Sequence, residues 1–235
     1  LGHKVGKRKD AECFSRIKTG ICFIKDMSEA KDFAIGTVKA VASTIPGISS
    51  IMKIWEEIEY GEYKRRLEEF MSSVDSKINM LTDMQLNSLK NNQLFATVLL
   101  ISGQLAMKTN DEKRKLLANA VANSAKTNLS EDRVIILLNC IEKYTLQHLK
   151  MLRFLQNPKE YTNEDFLFGG SPAQIYEQYY PNSDKDLDRI IIRDLYQDGF
   201  SSVDSIHTNC TASGVLSKKT TPLGDDFIQF FNIEK

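Results

Sequence analysis

Residues 94–107 read Leu-Phe-Ala-Thr-Val-Leu-Leu-Ile-Ser-Gly-Gln-Leu-Ala-Met, the longest apolar stretch in the chain. A spanning helix needs about 20 such residues, so this run is too short for a bilayer and reads as a buried core helix. The wider segment 85–108 adds Leu86 and Leu89, more apolar character than a surface helix needs. It is therefore expected at the centre of the fold, with the other elements arranged around it.

Working outward, the same helical recurrence appears on both sides. Upstream, Ala30, Phe33, Ala34, Val38, Val41, Ala42 and Ile45 fall at i, i+3, i+4 spacing behind Ser28, a natural N-cap. Pro46-Gly47 interrupts that helix. A second carries Ile48, Ile51, Met52, Trp55 and Ile58, and a third, after Gly61, carries Tyr63, Leu67, Phe70, Val74, Ile78 and Leu81. Downstream, Asn110-Asp111 caps a helix over 112–125 and Leu129-Ser130 caps another from Glu131. Val134 to Leu138 is a continuous apolar run whose polar flanks favour a helix buried nearly all round over a strand. Together these predict a bundle of about six helices with short connections.

Composition bounds what such a bundle can be. A hydrophobic fraction of 42% and a charged fraction of 26% over 235 residues argue for a folded core rather than disorder. Lys+Arg and Asp+Glu balance at 31 each, so no overall field draws the chain to nucleic acid or an anionic membrane. Cys13, Cys22, Cys140 and Cys210 show no C-x-x-C spacing, the usage of a reducing cytoplasm; a Cys13–Cys22 pair would need geometry that sequence does not supply. Residues 1–26 carry Lys4, Lys7, Arg8 and Lys9 and a short β-prone run, Ile21 to Ile24, and are expected to form a weakly ordered leader. Residues 27–144 then form the bundle, and 145–235 a smaller module with an aromatic-rich insertion at 159–183. Within that insertion, Pro172 to Tyr180 has the length and pattern of a short helix.

The final module carries four phrases in a telling order. Thr145 caps a helix from Leu146 to Leu155, and a second, Leu187 to Asp198, ends at Gly199-Phe200. A short candidate strand, Gly214 to Ser217, follows, and Thr221-Pro222-Leu223-Gly224 opens a helix through Phe227, Ile228, Phe230 and Phe231. This order resembles a winged-helix fold over about a third of the chain, although the aromatic insertion is longer than winged helices carry there. The fold class expected is thus mainly α: a helical bundle followed by a winged-helix-like α+β module.

From Ser28 onward the chain also resembles uncharacterised bacterial helical proteins of the abortive-infection or phage-defence type. The phrases that carry this are Ala-Ser-Thr-Ile-Pro-Gly at 42–47, Asn-Ala-Val-Ala-Asn-Ser at 119–124, the stretch His148 to Pro158, and Thr-Pro-Leu-Gly at 221–224. The resemblance implies a biological setting and no chemistry.

The residues themselves offer no catalytic, cofactor or metal constellation. His3 lies in the leader, His148 suits a partly exposed structural role, and His207 with Cys210 forms an H-x-x-C without a second ligand pair. Adjacent carboxylates such as Glu56-Glu57, Glu68-Glu69 and Asp225-Asp226 point about 100° apart on a helix and do not converge. A non-enzymatic, cytoplasmic protein-interaction or regulatory protein is therefore expected, with an unidentified protein partner and self-association left open. A nucleic-acid regulator is the alternative, through Lys218 and Lys219 at a wing tip and Arg189 and Arg193 on the preceding helix. Against it, that helix also carries Asp184, Asp186, Asp188, Asp194 and Asp198, which a DNA groove would repel. A third reading is a membrane-active effector through residues 33–54, whose small residues permit close helix contact.

Overall fold

Short polar side chains start the helices by accepting hydrogen bonds from backbone N–H groups that have no partner inside the helix. The computed structural model describes residues 47–78, 80–81, 89, 92–162 and 169–233, all within one unit, Pro46–Lys235. The leader 1–26, the cysteines at 13 and 22, the helix expected over 30–45 and most of the 33–54 segment lie outside the described residues.

Ten α-helices are present among the described residues. The first five are α1 Ile48–Glu57, α2 Gly61–Ile78, α3 Gln93–Lys108, α4 Asp111–Ser124 and α5 Glu131–Lys143. Then come α6 Leu146–Gln156, a 3₁₀ turn Pro158–Tyr161, α7 Pro172–Tyr179, α8 Lys185–Gln197, α9 Ala212–Leu216 and α10 Pro222–Phe231. The N-caps expected at Asn110 and Ser130 are in place: Asn110 Oδ1 accepts from Lys113 N at 2.9 Å and Ser130 Oγ from Arg133 N at 3.4 Å. Asn92 does the same for Phe95 N at 3.0 Å, and Asp184 for Asp186 N and Leu187 N at 3.0 and 3.1 Å.

The long apolar stretch over 94–107 is central, as its composition requires. As α3 it packs on α1, α2, α4 and α5, burying Phe95, Val98, Leu99 and Leu105. It shares that position with α4, where Leu117, Ala118, Ala120 and Val121 are fully buried and small side chains let α2, α3 and α10 approach. Arg114 is the buried charge of this region; it pairs with Glu69 at 3.0 Å and with Asp111, and donates to Thr109 O at 2.7 Å. The Val134–Leu138 run is helical, as expected. Its burial is one-sided, however: Val134, Leu137 and Leu138 are sealed while Ile136 is exposed.

The C-terminal part departs from the sequence expectation. Gly214–Ser217, expected as a strand, lies in and just beyond α9, and no strand is present among the described residues; only isolated bridges, Ser201 to Thr220 and Gly170 to Cys210, form there. Local chemistry explains the helix. Thr211 Oγ1 caps it by accepting from Gly214 N at 3.3 Å, and Lys219 closes it. Lys219 is 5% exposed, and its Nζ donates to Gly214 O, Val215 O and Ser217 O at 2.8, 3.2 and 2.7 Å. A buried ammonium serving three carbonyls at a helix C-terminus satisfies groups that would otherwise be orphaned. Lys219→Met is expected to cost about 1–3 kcal/mol, because these acceptors lose their donor, and urea unfolding measures it.

Helix α10 is pinned at both ends. At its N-terminus Thr221 donates its hydroxyl to Gly199 O at 2.6 Å and its N–H to Phe200 O at 3.0 Å, while accepting from Gly224 N at 3.1 Å. Gly199, with φ +80°, takes the left-handed turn that ends α8 and brings this carbonyl pair round. At the C-terminus Asn232 adopts φ 51° and Ile233 N reaches back to Ile228 O at 3.0 Å. Two asparagines one turn apart on α4 hold this end as well. Asn119 Nδ2 donates to Phe231 O and Asn123 Nδ2 to Phe230 O, both at 2.9 Å. The phrases at 119–124 and 221–224 thus meet on opposite ends of one helix.

Candidate functional site

Four helices that are distant in sequence leave a groove of about 880 Å³ between them. Its walls come from α2 (Ser73, Ser76, Lys77), α4 (Glu112, Lys115, Leu116, Asn119), α6 (Leu146, Leu149, Lys150) and the end of α7 (Tyr179, Tyr180), with Met80, Asn232 and Ile233 completing it. Helical spacing explains the α4 contribution, since 112, 115, 116 and 119 share one face. Leu116, Leu146, Met80 and the Tyr179 ring give the lining its accessible apolar surface, Leu149 being buried, and Lys77, Lys115 and Lys150 come from three different helices. Glu112 is the one carboxylate among the described lining residues. Asn119 serves the groove and the α10 C-terminus together, so the surface is built on a fixed element.

A second polar constellation lies where α5, α6 and α8 meet. Asp198 Oδ2 accepts from Lys143 Nζ and from the Tyr144 hydroxyl, both at 2.7 Å. Tyr144 is fully buried, and its ring stacks on His148 at 4.8 Å with 7° between planes. His148, expected to be partly exposed, is 6% exposed. Its Nδ1 accepts from Thr145 N at 3.2 Å, which closes the α6 N-terminus and leaves the proton on Nε2 of the neutral ring. That Nε2 ends 3.5 Å from Asp194 Oδ2, the distance of a loose ion pair and outside hydrogen-bond alignment.

Burial dominates the chemistry here. It pushes the Tyr144 phenol far up, reinforced by the Asp198 hydrogen bond, and lifts the Cys140 thiol to about 11, with the Asp198 charge adding to it. A thiol so protonated is a poor nucleophile. Burial also holds the His148 imidazolium below its usual 6.5, against the opposing pull of Asp194 and Asp198 and with the help of Lys143. The neutral ring is thus the folded form. Because the folded pKa is the lower one, the unfolded chain binds the extra proton first, and stability falls as pH drops below about 6.5. Asp225 acts in the same direction only under its usual 3.8: burial would raise it, but hydrogen bonds from Lys218, Thr220 and Gln156 hold it below. His148→Gln keeps an acceptor for Thr145 N and removes the titration. The loss in urea midpoint between about pH 7.5 and about pH 5 is expected to shrink in that variant.

Of the residues expected from sequence to meet nucleic acid, Arg189, Lys218 and Lys219 are engaged locally. Arg189 is exposed and pairs with Asp186 at 3.1 Å, and Arg193 is exposed one turn later on α8. Lys218 is ion-paired with Asp225. Lys219 is committed to the carbonyls of α9 and the following residue. Cys210 donates its thiol to Thr208 O at 3.4 Å, and His207 is exposed. Sequence reasoning did not find the groove or the buried Tyr144–His148 stack. The stack has a local signal, Thr145 three residues ahead of His148; the groove has none, because its walls come from helices far apart in the chain. No family model, curated protein or solved structure matches the chain.

Proposed function

We propose that this chain is a non-enzymatic interaction protein that binds a partner protein through the groove between α2, α4, α6 and α7. One observation carries the reading: lysines from three helices border an apolar surface within a single cleft of a chain whose overall charge is zero. An apolar surface bordered by cations suits a protein segment with apolar anchors and an acidic flank. The likeness of residues 145–235 to a winged helix rests on the order of α6, α8, the basic pair and α10. With 212–216 helical and Lys219 turned inward, that region is read as a packing module of the same unit. A setting in bacterial defence, in the cytoplasm, is supported by the sequence resemblance and the cysteine usage alone. Among the described residues no helix is long and apolar enough to cross a membrane.

Affinity capture tests the proposal with the wild-type chain and Lys115→Glu/Lys150→Glu, two exposed positions whose replacement leaves the core untouched. A stoichiometric protein that the wild type retains and the double variant loses is the expected outcome. Nuclease-sensitive, salt-labile nucleic acid in place of protein would overturn it in favour of a nucleic-acid regulator.

A further inference from the structure

We infer that the groove takes an acidic amphipathic helical segment of its partner, with aliphatic residues on the inner face and carboxylates along the rims. This rests on the groove being the binding surface, and adds the chemistry of the occupant. Charge complementarity is the first argument: Lys77, Lys115 and Lys150 reach the groove from separate helices, against Glu112 alone among the described lining residues. Cations carried by three separate helices can meet carboxylates distributed along a rod.

The lining gives the second argument. The apolar surface comes chiefly from half-buried Leu116 and Leu146, and Met80 beside them is 82% exposed, an apolar side chain with room for a partner. Leucine and methionine surfaces accept the i, i+3, i+4 anchors of an amphipathic helix.

Third, none of the described lining residues is an arginine, the cation that stacks on bases and forks onto phosphates, so the groove lacks the side chain a single-stranded nucleic acid uses best.

The test uses the full chain and fluorescent peptides of about 14 residues, roughly 20 Å long as helices. One set carries Leu at i, i+3, i+4, i+7 with Glu and Asp elsewhere, written in each helical register. A second set has Lys for every acid, a third scrambles the leucines, and a single-stranded oligonucleotide serves as the competing anion. Binding by anisotropy is expected for the first set alone, weakened about tenfold or more by Lys115→Glu/Lys150→Glu and by added salt. Circular dichroism checks that the double variant remains folded. Absence of binding by every acidic register, equal binding by the scrambled set, or preference for the oligonucleotide would each overturn the inference. If peptides fail while affinity capture still shows a protein partner lost in the double variant, the interaction reading stands and the acidic-helix chemistry falls. If neither peptide nor captured protein responds to the double variant, both fall.

Discussion

Phe227→Ala is expected to destabilise the protein by about 3–5 kcal/mol, a large share of the ~5–15 kcal/mol that holds a typical domain folded. Phe227 is fully buried, and its ring lies 5.7 Å from Tyr144, 5.1 Å from Phe200 and 4.7 Å from Phe231. These neighbours belong to the α5–α6 corner, the turn after α8 and α10 itself, so one ring joins three parts of the fold. A cavity there collapses poorly. Tyr144 is held by Asp198, and Phe200 by its backbone bonds to Leu195 and Thr221, and neither can follow the missing ring without breaking them. Phe227→Leu, which keeps much of the volume, is expected to cost markedly less, and Tyr196→Ala on the exposed face of α8 to stay within about 0.5 kcal/mol. Chemical denaturation of the three variants gives the ranking. A Phe227→Ala loss no larger than that of Tyr196→Ala would show that this ring does not join the parts.

How far the sequence was legible follows from the range of the interactions concerned. Asn110, Ser130 and the Thr221-Pro222 pair could be placed because a cap is chemistry between neighbours in the chain. The apolar recurrence located α3 and α5 for the same reason. Gly214–Ser217 misled because a four-residue run with one valine is short enough for either element; the groups that decide for a helix, Thr211 Oγ1 and Lys219 Nζ, lie within five residues of it but come from outside the run itself. Likewise Asn119 and Asn123 read as ordinary polar positions on an alanine-rich helix. Their partners, the carbonyls of Phe231 and Phe230, lie more than a hundred residues away. Two amides at i, i+4 among buried alanines did carry a faint signal, since such a face has little reason to be polar unless something docks there. For the groove, no local pattern could have sufficed. The spacing of Lys115 says which face of α4 it occupies, but nothing in it says that Lys77 and Lys150 face the same opening.

Gly224→Ala sets two rules against each other, and the structure decides the sign. Alanine is about 1 kcal/mol better than glycine inside a helix, so propensity alone would have the change stabilise α10. A Cβ built on Gly224, however, would stand 2.3 Å from Phe200 O and 3.2 Å from Phe200 C, backbone atoms that cannot swing aside as a side-chain tip would. Gly224 is absent from the positive-φ glycines, so space alone demands it. Retreat of the Phe200 carbonyl would break its bond from Thr221 N and pull on the Gly199 carbonyl that accepts the Thr221 hydroxyl. We therefore expect Gly224→Ala to destabilise by about 3 kcal/mol, the upper part of the overpacking range. At Gly61, where nothing lies within 4 Å of the added atom, the same substitution should be neutral or stabilising by up to about 1 kcal/mol. Opposite signs at the two glycines would mean that the close approach of the α8 turn to the first turn of α10 is a structural requirement of Thr-Pro-Leu-Gly. Equal, stabilising shifts would mean that the turn can yield, and that the phrase marks a helix start and nothing more.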